Sequence, residues 1–371
     1  MKNKLLFLVM GLAFSFSGMA QKELDSIIAT STPLLFDQPD RAIELAEEII
    51  DKATTTETKV KAMMFMGNAY LTKRQNSKSL SIALHALDLI RESDAILAQI
   101  EVLNSLGMQH QQLRMYDKAK DYLDEALVLT NTMNSAENLS YLLAYNYTIR
   151  GFIYREQMNC EIAQNYFDRA ISHFKKADKS LAITANISTL YYNKGNCFLQ
   201  TTQIDSAQIS FQRSVSYAEK VQASSLLSFA KKGLSEVYTA QGKYLLSVQH
   251  LYEADSIASK VGDLILNRGI SENLANNFLA LRNKEQYEFY NNRFQKTQQK
   301  LLSQERMLID ESLQNSRSKI ILDRDEKLKS LRFVLLVILS VGGFLLLFLI
   351  RMTLKTRKRF LGFKKKLHSP T

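Results

Sequence analysis

Residues 147–178, YTIRGFIYREQMNCEIAQNYFDRAISHFKKAD, contain small and large side chains in a fixed order. The order is small, large, small, large, small, at offsets of 0, 3, 12, 16 and 19 residues, and the residues are Gly151, Tyr154, Ala163, Phe167 and Ala170. Small residues let two helix backbones approach closely, and aromatic rings fill the space beside them. The stretch therefore predicts two antiparallel helices joined by a tight turn near Asn159.

The same series recurs along most of the chain. Its copies begin at intervals of 40, 44, 44, 40 and 40 residues, at Gly67, Gly107, Gly151, Gly195, Ser235 and Ala275. A regular period in this range is typical of a solenoid of helical hairpins. The three prolines are Pro33, Pro39 and Pro370, so residues 40–369 contain no residue that breaks a helix by lacking an N–H. We predict an all-α solenoid of about six to seven units over residues 21–294.

The repeated residues resemble the tetratricopeptide repeat (TPR) family. The family's pattern is an aromatic residue or leucine, then Leu-Gly, Tyr, Ala, Phe or Tyr, and Ala, and at least four units covering about 250 residues match it. The chain departs from the family in its period of 40 to 44 residues, which exceeds the usual 34, and in lacking the proline that ends the second helix. The resemblance implies the TPR fold with longer helices or longer connections.

Residues 1–20 have the features of a secretory signal peptide. A basic start precedes the apolar run at residues 5–16, and Gly18 and Ala20 are small at the positions that a signal peptidase must accept. We predict cleavage before Gln21. The alternative is a retained anchoring helix.

Residues 333–350, FVLLVILSVGGFLLLFLI, are eighteen residues without a charge. As a helix they would be about 27 Å long, which is close to the thickness of the hydrocarbon core of a bilayer. Arg332 and Arg351 flank the run, where their side chains can reach the headgroups. We predict one transmembrane helix over residues 332–352.

Basic residues are concentrated after this span. Residues 351–371 hold eight basic residues and no acidic one, which predicts that the tail, residues 353–371, is cytoplasmic and contacts anionic lipid. With the signal peptide, this orientation predicts a single-pass protein of the bacterial inner membrane with periplasmic repeats. The net charge is +11, and removing two charges at the N-terminus and eight in the tail leaves +1 for residues 21–350. The charge therefore gives no reason to expect nucleic-acid binding by the repeats.

Residues 295–331 form a charged segment without proline or glycine, for which we predict a helical stalk. Apolar residues that fit a seven-residue repeat suggest a coiled coil and a homodimer, and they are Leu302, Ile309, Leu313 and Ile320. Two polar residues, Arg306 and Ser316, fall at apolar positions of the same repeat and interrupt it. The alternative is a single amphipathic helix that packs on the array.

Motifs of catalysis or cofactor binding are absent from the sequence. The five histidines are scattered through different units, and neither a metal-binding spacing nor a phosphate-binding glycine loop occurs. We therefore predict a protein that is not an enzyme and has no cofactor. Cys160 and Cys197 belong to adjacent units, so they could form a disulfide bond in an oxidising compartment or remain two buried free thiols.

If the TPR geometry holds, one side of each first helix lines a concave groove. The predicted groove residues are Asn68, Asn104, Gln111, Phe152, Arg155, Tyr192, Asn196, Lys232, Glu236 and Asn276. Asparagines recur at one repeat position, at Asn68, Asn196 and Asn276, where their amides could hold the backbone of an extended peptide. The alternative is that asparagine is simply tolerated in a solvated groove.

Two functions fit this organisation. The first is a membrane-anchored scaffold that binds a protein or an extended peptide in its groove, and we favour it because it uses every predicted segment. The second is a signalling component, since the arrangement resembles the sensory half of membrane-bound regulators of the Bacteroidetes. Those regulators carry a histidine kinase or a helix-turn-helix domain after the span, where this sequence has about twenty residues.

Overall fold

The computed structural model describes residues 21–32, 34–133, 139–177 and 180–304, and beyond these residues 306–307, 328, 331–332, 335–336, 339–340 and 349–357. The chain divides into two compact units, Met1–Glu305 and Arg306–Thr371.

The first unit is built from α-helices, and the described part of the chain contains no strand. The helices are α1 (residues 21–30), α2 (Leu34–Asp37), α3 (Pro39–Lys52), α4 (Thr56–Thr72), α5 (Asn76–Arg91), α6 (Ile96–Gln112), α7 (Tyr116–Thr132), α8 (Leu139–Glu156), α9 (Cys160–Lys176), α10 (Leu181–Gln200), α11 (Ile204–Lys220), α12 (Ser224–Ala240), α13 (Tyr244–Val261), α14 (Leu264–Ala280) and α15 (residues 284–304). From α4 onward they form successive hairpins, each with an even-numbered first helix and an odd-numbered second helix. The predicted all-α solenoid is confirmed.

Long helices account for the long period. In one hairpin, α10 has 20 residues and α11 has 17, and residues 201–203 alone connect them. In another, α8 has 18 residues and α9 has 17. Of the two explanations for the period, longer helices are therefore observed within the hairpins.

Each of the six hairpins turns through one residue in the left-handed conformation. These residues have φ between 56° and 71° and are Arg74, Arg114, Met158, Thr202, Gly242 and Arg282. In the central turn, Asn159 N donates to Tyr154 O at 2.9 Å and Met158 N donates to Arg155 O at 3.0 Å, a pattern that satisfies the last carbonyls of the first helix. The six residues follow one another at 40, 44, 44, 40 and 40 positions, as the sequence series predicts.

Packing within a hairpin follows the predicted alternation of small and large residues. The ring of Phe167 on α9 is fully buried and lies against Gly151 on α8, where an added Cβ would come within 2.3 Å of the ring. Phe211 lies against Gly195 in the same way, at 2.6 Å. Glycine is therefore needed at these positions because the aromatic ring occupies the place of a side chain.

Helix α15 packs on its own hairpin and on the preceding one. Tyr290 stacks on Phe278 of α14 with ring centroids 5.7 Å apart, and the Arg293 guanidinium makes two hydrogen bonds of 2.6 Å to Asp255 of α13. The helix continues past residue 294, the end of the predicted array, to residue 304.

In the second unit, residues 349–357 are helical. Within the described positions, no helix combines the length and apolar character needed to cross a bilayer. Most of the predicted span at residues 333–350 lies outside those positions, as do the predicted signal peptide at residues 1–20 and residues 308–327 of the predicted stalk.

Candidate functional site

A cavity of about 350 Å³ opens among the first helices of the central hairpins. Helices α6, α8, α10 and α12 supply most of its wall, and α11 supplies one residue. The lining residues are Met108, Gln111, Gln112, Phe152, Arg155, Ser188, Thr189, Tyr192, Asn193, Ser214, Leu226 and Phe229. Four consecutive units therefore build one site.

An arginine crosses one side of the cavity from α8 to α10. The guanidinium of Arg155 lies over the ring of Phe152, 5.6 Å from its centroid. Its Nη1 donates to Oδ1 of Asn193, and its Nη2 donates to Oε1 of Glu156 at 2.6 Å. Asn193 is itself held, because its Nδ2 donates to the carbonyl of Thr189 at 2.8 Å. Packing and hydrogen bonds thus fix the position of this cation.

Aromatic rings form the other side of the cavity. Tyr192 on α10 packs edge-to-face on Phe229 of α12 at 5.6 Å and against Phe211 of α11 at 5.8 Å. Phe152 packs edge-to-face on Phe167 at 5.8 Å. Phe167 and Phe211 are fully buried, so the rings that line the cavity pack against the hydrophobic core of the array. The apolar wall is therefore preformed.

Two serines tie α10 to α11 beside the cavity. Ser188 Oγ donates to the carbonyl of Ser214 at 2.8 Å, and Ser214 Oγ donates to the carbonyl of Ser188 at 2.9 Å. Both side chains are buried, so the two hydrogen bonds satisfy polar groups that would otherwise be costly. This pair joins the two helices of one hairpin.

Comparison with known proteins locates a recognised repeat at this site. Residues 188–221 match the model of the tetratricopeptide repeat family, and they comprise most of α10 and all of α11. This segment is therefore similar to one tetratricopeptide repeat. No curated protein sequence matches the chain.

Solved structures share the helical-repeat fold at low sequence identity. The apo form of RapI is 15% identical with a TM-score of 0.56, and the match covers 76% of this chain and 99% of RapI. A Signal Transduction ATPase with Numerous Domains from Pyrococcus horikoshii, which has a tetratricopeptide repeat sensor, is 13% identical with a TM-score of 0.59, over 74% of this chain and 40% of that chain. The Rap conjugation gene regulator of plasmid pLS20, in complex with the Phr* peptide, is 17% identical with a TM-score of 0.50, over 72% and 73%.

Four of the predicted groove residues come together at the cavity: Gln111, Phe152, Arg155 and Tyr192. The prediction missed the residues that complete the wall, which are Met108, Gln112, Ser188, Thr189, Asn193, Ser214, Leu226 and Phe229. The contributing positions shift along the helical array, from after the small residue in α6 and α8 to before it in α10 and α12. Applying one repeat position to every unit could not reveal that shift.

Asn104 is wrongly predicted as a groove residue. Its side chain is 1% exposed, and Nδ2 donates to the carbonyl of Leu142 at 3.2 Å. Its Oδ1 accepts from Nδ2 of Asn146 at 2.9 Å. The close packing of α6 against α8 covers this position, and both polar atoms of the Asn104 amide are hydrogen-bonded to α8.

Lys232 and Glu236 lie outside the cavity lining and form an ion pair on α12. Asn273 Nδ2 of α14 also donates to Glu236 Oε1, at 2.9 Å. Burial lowers the pKa of Lys232, but Glu236, with Tyr192 and Glu272, raises it above its usual value. The two charges therefore neutralise each other within the array.

The three asparagines that recur at one repeat position do not line the cavity. Asn68 and Asn276 are exposed and Asn196 is half-buried, and none of the three is among the lining residues.

Cys160 and Cys197 are both buried free thiols. Cys160 Sγ lies 3.1 Å from Oε1 of Gln200 and donates to it. Burial, followed by a hydrogen bond with Cys160, raises the pKa of Cys197, so this thiol stays protonated. The disulfide bond that the sequence allows is not formed. Among the described residues, no group of three or more His, Cys, Asp or Glu side chains is arranged to hold a metal ion.

Proposed function

We propose that this chain is a membrane-anchored, non-catalytic interaction protein that binds an extended peptide or protein segment in the cavity of its repeat array. The cavity among α6, α8, α10 and α12 is the observation that carries the proposal. Its wall combines fixed aromatic rings with hydrogen-bonding groups at Gln111, Asn193 and Arg155, which is the usual composition of a ligand site.

Likeness to a peptide complex supports a peptide as the ligand class. The Rap conjugation gene regulator of plasmid pLS20 has its Phr* peptide bound, and its fold is similar to this one with a TM-score of 0.50. An extended peptide suits a helical-repeat surface because its backbone can bond to side-chain amides while its side chains enter pockets.

The anchoring part of the proposal rests on the sequence. Residues 333–350 are long and apolar enough to span a bilayer, and the basic tail favours a cytoplasmic C-terminus. A signal peptide at residues 1–20 would place the repeats in the periplasm. On this proposal the cavity binds its partners in the periplasm.

Photo-crosslinking in living cells tests the cavity as a partner site. A crosslinking amino acid at Gln112, an exposed lining residue, is expected to capture a defined partner. The same amino acid at Asn276, which is exposed but outside the lining, is the matched control. Filling the cavity with Leu226→Trp should abolish capture from Gln112. Equal capture from both positions, or capture that survives Leu226→Trp, contradicts the proposal.

A second candidate function is a signalling component of a membrane-bound regulator. The fold likeness to the Pyrococcus horikoshii ATPase, which has a tetratricopeptide repeat sensor, favours this candidate. Transcript profiling of cells carrying Leu226→Trp separates the two functions. Signalling predicts altered transcription of a small set of genes, whereas a scaffold predicts loss of the captured partner with unchanged transcription.

A further inference from the structure

We infer that the cavity selects peptides in which a bulky apolar side chain lies beside an acidic residue, with the apolar side chain inside the cavity and the carboxylate on Arg155. This inference rests on the proposed function and specifies the ligand class of the same site.

The size of the cavity suits one or two inserted side chains. It measures about 350 Å³, near the lower end of the range of about 300–1,000 Å³ for ligand pockets. An extended segment that lies across the opening can insert one or two of its side chains.

The apolar part of the wall determines which side chain enters. Phe152, Tyr192 and Phe229 present ring faces and edges, and Leu226 and Met108 complete the apolar surface. Aromatic ligand side chains can pack edge-to-face on these rings, and methionine adapts to differences in shape. Aromatic or large aliphatic residues are therefore the expected occupants.

The charge of the wall determines what lies next to that side chain. Among the twelve described lining residues, Arg155 carries a charge and none is Asp or Glu. An acidic ligand thus meets one cation and no like charge within the lining.

Arg155 retains hydrogen-bonding capacity for a ligand. A guanidinium has five N–H donors arranged as a planar fork. Within the described residues, Nη1 is bonded to Asn193 and Nη2 to Glu156. The Arg155 side chain is 29% exposed, so a carboxylate can reach the remaining donors. Because Glu156 already accepts a hydrogen bond from this guanidinium, a ligand carboxylate gains less binding free energy from Arg155 than it would from an unpaired arginine.

Peptide selection provides the first test. A phage library of random linear heptapeptides is panned against the full-length chain in mild detergent. The expected pool contains an aromatic or large aliphatic residue within two positions of Asp or Glu. The same panning against Arg155→Gln should keep the apolar preference and lose the acidic one. Arg169→Gln is the matched control, because Arg169 is exposed and lies over the rings of Tyr147 and Tyr166, outside the cavity lining.

Binding of one selected peptide provides the quantitative test. The fluorescein-labelled peptide and its acid-to-amide variant are titrated by fluorescence anisotropy. The amide variant should bind the wild-type and Arg169→Gln chains about ten-fold more weakly, since a hydrogen bond to a charged group is lost. The two peptides should bind Arg155→Gln with affinities that differ by less than about two-fold. Phe229→Ala should weaken both peptides to a similar extent.

Arg155→Lys guards against an effect of misfolding. Lysine keeps the charge, so this variant should retain part of the acidic preference while losing the fork geometry. Circular dichroism melts show whether each variant folds. Selected peptides that lack acids, or an amide effect that persists in Arg155→Gln, would refute the inference and leave the proposed function standing. Failure of the wild-type chain to enrich any peptide over the Leu226→Trp chain would contradict both.

Discussion

The hairpin turns hold residues other than glycine in a conformation that glycine prefers. Of the six left-handed turn positions, Gly242 alone is a glycine, and Arg114 has φ of 58° with an exposed side chain. For an L-residue with a Cβ, this conformation costs roughly 1–2 kcal/mol. At the five turns without glycine, packing of the second helix on the first offsets this cost.

Replacing Arg114 with glycine is therefore expected to stabilise the array. Glycine removes the backbone strain but has more conformational freedom in the unfolded chain, which opposes folding. The net result should be an increase of about 0.5–1 kcal/mol in the free energy of unfolding. Urea denaturation followed by circular dichroism measures it. Gly242→Ala, at φ of 71°, is the control and should lower the stability. A lower stability of Arg114→Gly would show that the turn residue is not strained.

A half-buried histidine should make the stability depend on pH. His250 stacks on Tyr238 with centroids 5.1 Å apart, and its Nδ1 is buried without a hydrogen-bond partner. Burial is the main cause that lowers the pKa of His250; Lys231 adds to the shift and Glu253 opposes it. The unfolded imidazole therefore binds a proton at a higher pH than the folded one, and stability falls as the pH drops below about 6.5.

The measurement is the urea midpoint at pH 7.5, 6.5 and 5.5. His250→Gln cannot take up the proton, so the decrease in midpoint should be smaller than in the wild-type chain. His173, whose pKa is also lowered by burial first and by Lys176 second, contributes in the same direction. The double variant with His173→Gln should flatten the profile further. An unchanged profile in both variants would exclude these histidines as the cause.

At the scale of the helical hairpin, replacing glycine with alanine should change the stability in opposite directions at two equivalent positions, because only one of the two glycines faces an aromatic ring. A Cβ at Gly151 would lie 2.3 Å from the Phe167 ring, whereas a Cβ at Gly67 would meet Ser79 Oγ at 3.5 Å, an ordinary contact. Gly151→Ala should cost about 1–3 kcal/mol through overpacking. Gly67→Ala should gain up to about 1 kcal/mol, because alanine is the better helix former. Thermal melts of the two variants should shift in opposite directions.

The hairpins could be predicted from the sequence because their packing repeats at fixed spacing. Gly151 and Phe167, or Gly195 and Phe211, must meet wherever two helices form the same hairpin. The turn near Asn159 was predicted for the same reason, and Asn159 caps α9 by accepting from Ile162 N at 3.2 Å. Local spacing is thus sufficient for an element whose partners are close in sequence.

The cavity could be predicted only in part, because it depends on how successive hairpins are arranged. Asn104 and Tyr192 occupy the same position, three residues before the small residue of their units. Asn104 is buried against Asn146 of α8, whereas Tyr192 lines the cavity. The spacing between first helices is a tertiary property that no repeat position encodes. Arg155 and Phe152 were found because α8 follows the expected register.

At the scale of the whole molecule, charge is distributed unevenly along the chain. The basic residues that produce the net charge of +11 lie mainly at the two ends, and the long middle section is nearly neutral. Within the described array, acidic and basic side chains pair across neighbouring hairpins, as Arg150 does with Asp124 and Arg293 with Asp255. The excess positive charge is thus concentrated next to the apolar run at residues 333–350.

This distribution predicts a single membrane orientation. Basic residues stay on the cytoplasmic side, so the segment before the apolar run should be periplasmic and the tail cytoplasmic. Alkaline phosphatase, which is active only outside the cytoplasm, should be active when fused after Glu305 and inactive after Thr371. Green fluorescent protein at the same two sites should give the opposite result. Deleting residues 1–20 should inactivate the phosphatase fused after Glu305, because export requires the signal peptide. Phosphatase activity after Thr371 would place the tail outside the cytoplasm and overturn the anchoring proposal, while leaving the cavity and its ligand to be tested separately.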